Sequence, residues 1–455
     1  MEHFISKCLF VCCFLLMSLP GFSQKSAELV MFESSNGALG LGLYGMSPNG
    51  KWAVLYAGSQ GAYNNPTLWN LENYGTTVLL GQDDNENTQA QANAVDNSGM
   101  AVGAYDDIPA YFKDGSWIQL PLPDGYDGGE VKAVSADGSI MIGSATIKEN
   151  FVNVKACKWV NGQLVDVVVP EKDSRNEKVD TCPLFGISAD GNTMWGFLNF
   201  TYIESCTPAI WNPEPQIICE DIYYNESGER NYTSIYNNVA MSWNGKYMVG
   251  YVDYDKGPNN TDAGFLYTVE TKKTTVYEEN SETGEVTTSG MAVDNNGVIY
   301  EGKVISGPIR EAYIRVEGKQ YKMADYLKNE YNFDLSTVEA IQDLGTVMGV
   351  SEDGKTVVGW EGPGTNWCLK LSDAPGVATA IQTTAADQIS VLVDGKSLVV
   401  KGKAESVRIV DLAGNVVISQ SFDGSAVNLA GLPLGVYVAK VVANGQNVVK
   451  KIVVR

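Results

Sequence analysis

The sequence predicts an all-β protein: a seven-bladed β-propeller followed by a small C-terminal antiparallel β-sandwich. The first observation is a hairpin motif that recurs seven times, at intervals of 39 to 57 residues. The second is composition, since 47 glycines and an aromatic content of 10% are typical of many turns and short strands. The third is a series of short apolar segments, separated by turn residues, near the C-terminus. We therefore divide the chain into a signal peptide (1–23), the propeller (24–372), a linker (373–388) and a C-terminal domain (389–455).

The first 23 residues are typical of a secretory signal peptide. Lys7 gives a positive start, residues 8–19 form a short apolar run, and small residues at 21 and 23 place the cleavage before Gln24. The run is shorter than the roughly 20 residues that span a bilayer, and no later segment is apolar enough to do so. The sequence therefore predicts an exported chain with no transmembrane segment.

Charge and histidine content disfavour or exclude several classes of function. The formal net charge is −22 and the acidic excess lies before residue 389, which disfavours nucleic acid as a partner. The one histidine, His3, leaves with the signal peptide. A mature chain without histidine has no Ser-His-Asp triad, no Cys-His pair and no histidine-bound metal. Catalysis would have to use carboxylates, Tyr, Lys or Arg.

An odd number of cysteines, five, remains after cleavage, so at least one thiol stays free. They are Cys157, Cys182, Cys206, Cys219 and Cys368. No two of these five have the C-x-x-C spacing of a zinc or redox site. Cys182 and Cys206 flank the fourth hairpin on the same predicted face, and we predict a disulfide between them, which requires Cα atoms within about 7 Å.

Each copy of the repeated motif predicts a β-hairpin. The pattern is a small residue, an apolar residue, Ser or Asp, any residue, a turn former and Gly. The final Gly suits the positive φ of a tight turn, and the Ser or Asp can hydrogen-bond the turn backbone. The copies occupy residues 45–50, 94–99, 133–138, 186–191, 240–245, 292–297 and 349–354.

A second pair of strands follows each hairpin, which gives the four strands of a propeller blade at a period of roughly 40 to 50 residues. Residues 27–33 form a strand without a hairpin partner, and the seventh repeat lacks a fourth strand after Leu371. We expect the first segment to pair with residues 366–371 and close the propeller, which removes exposed sheet edges. A solenoid or two stacked sandwiches is the rival layout. The third strands contain residues 67–69, 110–112, 157–159, 209–211, 265–267, 313–315 and 367–369.

The hairpin motif resembles the short extracellular repeat of the HAF type, over residues 40–371. One copy, residues 188–195, also approaches the Asp-box of sialidases, with its Gly one place early. The resemblance implies a secreted β-propeller architecture and no defined activity.

Three C-terminal stretches, residues 407–414, 432–438 and 450–454, resemble the sorting domain of type IX secretion cargo. The resemblance implies a Gram-negative bacterium of the Bacteroidota type and contact of residues 389–455 with the outer-membrane secretion machinery. It also implies an extracellular or outer cell-surface location. An ordinary accessory β-sandwich is the alternative interpretation.

The long connections lie on the propeller face opposite the hairpin turns, where binding residues usually occur. Their aromatic and acidic residues suit a glycan or a basic protein patch. The segment Asp253-x-Asp255-x-Gly257 has the opening of a calcium loop but lacks the closing Glu. No metal or cofactor is therefore predicted, and Ca²⁺ at Asp253 and Asp255 is the alternative interpretation. The candidate ligand-binding residues are Tyr105, Asp106, Phe197, Tyr202, Tyr251, Tyr254 and Trp360.

Two classes of function agree with these patterns. The first is a secreted or cell-surface binding module for protein or glycan ligands. The alternative is a carboxylate-dependent glycan-cleaving enzyme, a glycoside hydrolase or lyase, which needs no histidine. No motif marks a carboxylate pair and no catalytic residue is predicted, so the sequence favours binding.

Overall fold

The structure is a computed structural model. It describes residues 25–33, 39–58, 65–79, 90–147, 150–199, 207–223, 234–235, 239–254, 261–279, 282–306, 309–339, 341–362, 364–376, 390–394, 396–401, 404–411, 415–422, 424, 426–443 and 446–454. The chain divides into two compact units, Met1–Val377 and Ala378–Arg455.

The described residues between 27 and 371 form seven antiparallel sheets. After β1 (Ala27–Met31), the first sheet contains β2 (Leu39–Met46), β3 (Trp52–Gly58), β4 (Asn65–Asn70) and β5 (Thr76–Val78). The second contains β6 (Gln91–Val95), β7 (Ala101–Tyr105), β8 (Ile108–Lys113) and β9 (Ser116–Gln119). The third contains β10 (Gly128–Val134), β11 (Ile140–Ile147), β12 (Asn150–Val160) and β13 (Gln163–Val165). The fourth contains β14 (Leu184–Ile187), β15 (Met194–Leu198), β16 (Thr207–Trp211) and β17 (Pro215–Ile217).

The remaining sheets of this unit follow the same order. The fifth contains β18 (Ser234–Ile235), β19 (Ala240–Met241), β20 (Tyr247–Tyr254), β21 (Thr261–Thr268) and β22 (Lys273–Tyr277). The sixth contains β23 (Ser289–Val293), β24 (Ile299–Ser306), β25 (Ile309–Val316) and β26 (Lys319–Lys322). The seventh joins β27 (Thr346–Val350), β28 (Thr356–Trp360) and β29 (Asn366–Leu371) to β1. Most neighbouring strands in these sheets are consecutive in sequence, as in a four-stranded hairpin meander, and the exceptions are the β18–β20 pair of the fifth sheet and the β1–β29 pair of the seventh.

The N-terminal strand closes the seventh sheet, as the sequence predicts. β1 pairs antiparallel with β29, with Ala27 opposite Leu371 and Met31 opposite Trp367. Apolar clusters then join successive sheets: Val54 of the first sheet packs with Val95 of the second. The remaining neighbours share cores in the same way, and the series returns to its start because Val358 of the seventh sheet packs with Leu55 of the first. The all-β and β-propeller predictions are confirmed, and these seven sheets support the predicted number of blades.

Tryptophans on the third strands fill the spaces between neighbouring sheets. Three of their indole nitrogens donate to backbone carbonyls in the connection that precedes the sheet, as Trp159 Nε1 does to Pro121 O at 2.8 Å and Trp367 Nε1 to Leu344 O at 3.0 Å, whereas Trp69 Nε1 has no hydrogen-bond partner among the described residues. In these three side chains the hydrogen bond pairs the one polar atom of a large, otherwise apolar ring. The fully buried members are Trp69, Trp159, Trp211 and Trp367.

The hairpin turns form a continuous chain of hydrogen bonds around one end of the propeller. Within a turn, the buried Ser188 hydroxyl donates to Asp190 at 2.6 Å and accepts from the backbone N–H of Thr193 at 2.9 Å. Between turns, a hydrogen bond connects each turn to the next one around the propeller. It is formed by the residue that follows the Ser or Asp of the motif, or by the Asn next to that residue. These links are Asn49–Asn97, Asn97–Ala136, Ala136–Ala189, Ala189–Trp243, Asn244–Asn295, Asn295–Glu352 and Glu352–Pro48.

Short helices, which the sequence patterns did not predict, lie in two connections of the propeller unit. They are α1 (Glu220–Tyr223), α2 (Met323–Tyr331) and a 3₁₀ turn (Leu335–Thr337). In α2, Met323, Leu327 and Tyr331 join the core between the sixth and seventh sheets. Their spacing of four residues places them on one face of the helix.

The C-terminal unit is a small antiparallel β-sandwich. Its seven described strands are β30 (Ser390–Asp394), β31 (Ser397–Lys401), β32 (Ser406–Val410), β33 (Val416–Ser421), β34 (Val427–Asn428), β35 (Gly435–Ala443) and β36 (Gln446–Val454). One sheet has the order β30-β31-β34 and the other β33-β32-β35-β36. Leu398 of the first sheet shares a core with Ile409 and Ile452 of the second, so the predicted sandwich is confirmed. The two-residue strand β34 is the addition to the predicted set, because it is too short to show alternation.

Candidate ligand-binding site in the central channel

The wall of the central channel is built from the first strand of each sheet. Each first strand contacts the first strands of the sheets on either side, and β27 of the seventh sheet contacts β2 of the first. The hairpin turns end these strands at one mouth of the channel. The connections between second and third strands lie at the other mouth, where β28 ends at Trp360.

A β-bulge interrupts the first strand at the same place in six of the described sheets. The residue left out of the pairing stands directly before the hairpin motif, as Met291 does between the paired residues Gly290 and Ala292. A bulge redirects the side chain of its extra residue, here away from the regular sheet pattern. The bulge residues are Tyr44, Asn93, Lys132, Phe185, Met291 and Met348, and Val239 holds the equivalent position before β19.

Glycines on the second strand make room for the bulge. A Cβ atom built on Gly143 would lie 2.0 Å from Glu130 O, and one on Gly359 would lie 2.4 Å from Thr346 O. Such distances are impossible for real atoms, so these positions require glycine. Gly143 follows the turn glycine Gly138 by five residues, and Gly359 follows Gly354 by the same distance. This second Gly of the repeat therefore serves the bulge. Gly302 of the sixth sheet is different: its Cβ would lie 3.0 Å from Arg310 Cδ and 3.5 Å from Met291 Cγ.

A cavity of about 500 Å³, which we call the channel pocket, opens between the fourth and seventh sheets. The four residues that precede the hairpin motif in these sheets all line it, together with a tryptophan at the end of β28 and an arginine at the start of β25. They are Phe185, Val239, Met291, Met348, Trp360 and Arg310. The pocket is therefore one sector of the channel.

The walls of the channel pocket are mostly apolar. Phe185 stacks on Trp195 with ring centroids 5.6 Å apart and an angle of 18° between the planes. Trp195 in turn lies against Gly186, where a Cβ would be 2.0 Å from the indole nitrogen. Thr346 adds one hydroxyl. Aromatic faces and flexible thioethers adapt to apolar ligands of varied shape.

Arg310 brings a positive charge to this apolar wall. The side chain is half-buried and passes over Gly302 toward Met291. Its Nη1 atom is buried and has no hydrogen-bond partner among the described residues. Arg315, five residues further along, is by contrast bound to Glu301 and Glu285, each at 2.8 Å.

The equivalent positions in the first three sheets are polar. Asn93 Nδ2 donates to Glu130 Oε2 at 2.9 Å, and Lys132 Nζ lies 2.7 Å from Glu130 Oε1. Tyr44 packs edge-on against Tyr56, whose pKa is raised by burial. The bulge residues thus divide the propeller into an apolar group on the fourth to seventh sheets and a polar group on the first three.

Trp360 is the predicted binding residue that the channel pocket contains. Tyr105 is half-buried, stacks on Trp117 and lies on the second sheet, followed by the exposed Asp106 in a turn with φ 51°. Tyr251 is half-buried on β20 of the fifth sheet. Phe197 is fully buried in the core between the fourth and fifth sheets, so its side chain is already covered by protein.

Several predictions fall on residues that the structure does not describe. Tyr202, Cys206, Asp255 and the signal peptide lie outside the described ranges, and the side chains of Asp253 and Tyr254 are likewise not described. Burial raises the pKa of the Cys182 thiol to about 12, but its disulfide with Cys206 stays a prediction. The alternative of Ca²⁺ at Asp253 and Asp255 stays untested, and the described residues contain no group of three or more acidic, Cys or His side chains that could hold a metal.

The sequence analysis did not select Phe185, Met291, Met348 or Arg310. A signal for the first three was present, because each stands directly before the repeated motif. The residue before the motif becomes a candidate only when the β-bulge at that point is known. The bulge is defined by the pairing of the first strand with the second, which the motif alone does not show. For Arg310 we find no local sequence signal.

The fold and the channel pocket define a β-propeller joined to a separate C-terminal β-sandwich. Residues 385–455 match the family model described as a secretion system C-terminal sorting domain. This match confirms the predicted type IX sorting domain, and the chain is a secreted or cell-surface protein. The HAF-type repeat stays a prediction. No helix among the described residues is long and apolar enough to cross a membrane. A search of curated proteins finds no match to the sequence.

Solved structures with similar architecture include three propeller-containing or secretion-related proteins. One is PorZ, a surface component of the type IX secretion system of Porphyromonas gingivalis, at 12% identity and a TM-score of 0.32, covering 93% of this chain and 70% of PorZ. Another is the β-propeller domain of the trilobed protease from Pyrococcus furiosus, at 11% identity and 0.42, covering 70% and 91%. A third is the GH74 enzyme of Niastella koreensis, at 13% identity and 0.41, covering 73% and 43%.

Proposed function

We propose that the propeller is a secreted or cell-surface binding module whose ligand, a segment of a protein or a glycan, enters the channel pocket. The observation that carries this proposal is the convergence of Phe185, Val239, Met291 and Met348 from four neighbouring sheets on one cavity of about 500 Å³. The volume lies within the roughly 300 to 1,000 Å³ of small-ligand sites. Exposing apolar side chains to a water-filled channel is unfavourable unless a ligand covers them.

The residues around the channel pocket support binding more than hydrolysis. Glycan cleavage by paired carboxylates needs two such groups about 5 to 10 Å apart. Within the described part of the chain, the pocket lining contains Arg310 and Thr346 as its polar members and no carboxylate. Glu130, on the third sheet, is already bound by Asn93 and Lys132. The glycan-cleaving alternative would need carboxylates from other segments.

Blocking the channel pocket tests the proposal. The mature protein would be screened against peptide and glycan arrays, and each ligand found would be tested again with Met348→Trp, which fills the cavity. We expect at least a tenfold loss of affinity, equal to about 1.4 kcal/mol. Val168→Trp is the matched control, because Val168 is 64% exposed and does not line the cavity.

Trp360 provides a second readout. Its half-buried indole at the pocket should change its fluorescence when the ligand binds, and Trp360→Phe should remove that change. Ligands that bind Met348→Trp and the natural protein equally well would contradict the proposed site. Release of sugars from any bound glycan would favour the enzyme alternative.

A further inference from the structure

We propose that the channel pocket recognises the free C-terminal carboxylate of a peptide or protein whose last residue is apolar, with Arg310 binding the carboxylate. The inference rests on the proposed function and specifies its ligand. It starts from the unusual state of Arg310 and from the apolar walls around it.

Arg310 differs from the other arginines of the propeller whose contacts are described. Arg175 pairs with Asp173 at 2.9 Å and with Glu177 at 3.2 Å. Arg315 is held by Glu301 and Glu285 and lies over the ring of Tyr277, with its Cζ 4.0 Å from the ring centroid. Arg310 has no ion pair among the described residues, and its Nη1 lacks a partner.

A buried cationic donor without a partner is unfavourable, and a rotation of the guanidinium that brings its N–H groups to an acceptor in the adjoining cavity would remove that cost. A guanidinium carries its N–H groups in a planar fork that matches the two oxygens of a carboxylate. Arg310 lines the channel pocket, so a carboxylate within the cavity could reach the guanidinium. The structure therefore favours an anionic ligand group at this end of the pocket.

The rest of the pocket limits what can be attached to that carboxylate. Phe185, Met291, Met348 and Trp360 offer apolar contact, and Thr346 is the other polar side chain in the described lining. An acidic sugar would bring several hydroxyls beside its carboxylate, and each would lose water without finding a partner here. A C-terminal Leu, Val or Phe residue instead presents one carboxylate next to one apolar side chain.

The formal net charge of the protein influences the preceding residues of the ligand. At −22, the protein repels acidic chains at long range and attracts basic ones. We therefore expect the best ligands to combine an apolar last residue with Lys or Arg further upstream. Added salt should weaken the attraction of the upstream Lys or Arg residues more than it weakens the ion pair between Arg310 and the carboxylate, because screening acts mainly on exposed charges.

The test uses the full mature protein and a peptide library with varied last four residues, made both as C-terminal acids and as C-terminal amides. Affinity is measured by calorimetry and by Trp360 fluorescence. We expect the best acids to bind at least tenfold more tightly than their amides, as charge-assisted pairs do. Arg310→Gln should remove this preference, so that acids and amides bind the variant with equal affinity. Arg310→Lys should restore part of it, since Lys keeps the charge without the fork.

Arg175→Gln is the matched control, because Arg175 lies outside the cavity and should leave the preference intact. Gly302→Ala is a second variant that keeps Arg310 and displaces it, since the new Cβ would lie 3.0 Å from Arg310 Cδ. It should reduce the acid preference at least threefold. Thermal melting within about 2 °C of the natural protein shows that the variants are folded.

Equal affinity for acids and amides, a preference that survives Arg310→Gln, or binding of acidic oligosaccharides in place of peptides would each overturn this inference. So would the absence of any acid peptide that binds below 1 mM. Failure of the proposed function has a different signature, because ligands would then be insensitive to Met348→Trp. A ligand whose affinity falls with Met348→Trp but not with Arg310→Gln would support the channel pocket as the binding site. The same result would contradict the binding of a carboxylate by Arg310.

Discussion

Trp243 Nε1 donates a hydrogen bond of 2.7 Å to the backbone carbonyl of Val350, although the two residues belong to the fifth and seventh sheets. Trp243 occupies the variable position of its hairpin motif, at the turn end of the channel. Its ring packs in the cluster that contains Leu43 and Val358, together with Met348 of the channel pocket. This side chain therefore links two sheets that are not neighbours and covers part of the channel on the turn side of Met348.

Removing this link should destabilise the propeller. Trp243→Phe deletes the hydrogen bond and keeps most of the ring, so we expect the free energy of unfolding to fall by about 1 kcal/mol. Trp243→Ala also removes the packing and should cost about 3 to 5 kcal/mol. Urea unfolding measures both. Ile118→Ala, at an exposed side chain, should change stability by less than about 0.5 kcal/mol, and a Trp243→Phe effect no larger than this control would refute the role.

The hairpin turns exist in two lengths, set by whether the motif carries Ser or Asp. The Ser135 hydroxyl donates to Asp137 at 2.7 Å and accepts from the Ile140 N–H at 3.0 Å. In the Asp type, Asp294 Oδ1 accepts from the N–H groups of Asn296 and Val298, each at 2.8 Å. The first strand pairs are Val134 with Met141 and Val293 with Ile299, so the Asp turn is one residue shorter.

We expect the two turn types to be interchangeable when the length changes with the residue. Ser135→Asp alone buries a carboxylate in the long turn without its usual donors and should cost about 1 to 3 kcal/mol. Combining it with deletion of Ser139 creates the short form and should recover more than half of that loss. Chemical denaturation measures the three proteins. Deletion of Ser139 alone is the control, and if it costs no stability the residue at position 135 does not determine the length of the turn.

The acidic residues of the Ser turns should give the propeller part of its acid sensitivity. The hydrogen bond from Ser135 lowers the pKa of Asp137. At Asp190 burial acts to raise the pKa, but hydrogen bonds from Ser188 and Asn192 outweigh it and the pKa is lowered. A folded-state pKa below the unfolded value near 4 stabilises the protein above that pH, and this contribution is lost as the pH falls through the folded-state value.

Replacing both carboxylates tests this linkage. Asp137→Asn with Asp190→Asn should leave stability at pH 7 nearly unchanged, because Asn49 and Asn244 already accept the Ser hydroxyl at 2.7 Å in other turns. Between pH 5 and pH 2 the double variant should lose stability less steeply than the natural protein. Thermal melting across this range makes the comparison. Parallel curves for the two proteins would show that these carboxylates do not contribute.

Local patterns predicted the fold well because the hairpin turn is a local structure. The Gly at the end of each motif, such as Gly138 with φ 75°, has the left-handed backbone that its position requires. The returning strand begins within a few residues of each turn, and the third-strand aromatic, such as Trp159 after Gly138, follows in the same repeat. The helix α2 was missed because its pattern lies inside a connection, where its burial depends on packing between two sheets.

The candidate site was predicted only in part, because the exposure of a side chain at the end of a second strand depends on whether residues of the neighbouring sheet cover it. Phe197 and Trp360 hold the same position, each directly after the second Gly of its repeat. Phe197 is covered by apolar residues of the fifth sheet, including Ile235 and Met248, whereas Trp360 lines the channel pocket. No local pattern distinguishes the two. Arg310 likewise enters the pocket because Gly302 of the paired strand has no side chain to block it.

The end of the propeller lies within the segment that the sequence analysis treats as a linker. Ala374 is 5% exposed and lies close to Gly354, where a Cβ would be 2.9 Å from the Ala374 Cβ. The Tyr331 hydroxyl donates to Asp373 O at 2.7 Å. Residues 373–376 therefore contact the propeller unit, and a truncation that tests the role of the sorting domain must keep them.

Two truncations of the mature chain separate folding from export. A chain ending at Gly376 lacks the sorting domain and keeps the contacts of Asp373 and Ala374, so its melting temperature should match that of the propeller in the full protein. A chain ending at Ser372 loses those contacts and should melt several degrees lower, as the loss of buried apolar area and of a hydrogen bond requires.

In the native host both chains should remain in the periplasm, because the sorting domain is the signal that the secretion machinery recognises. Fractionation with an antibody to the propeller measures location, and calorimetry measures melting. Surface display of the chain ending at Gly376 would contradict the export role, and a large drop in its melting temperature would show that the propeller needs the C-terminal unit to be stable.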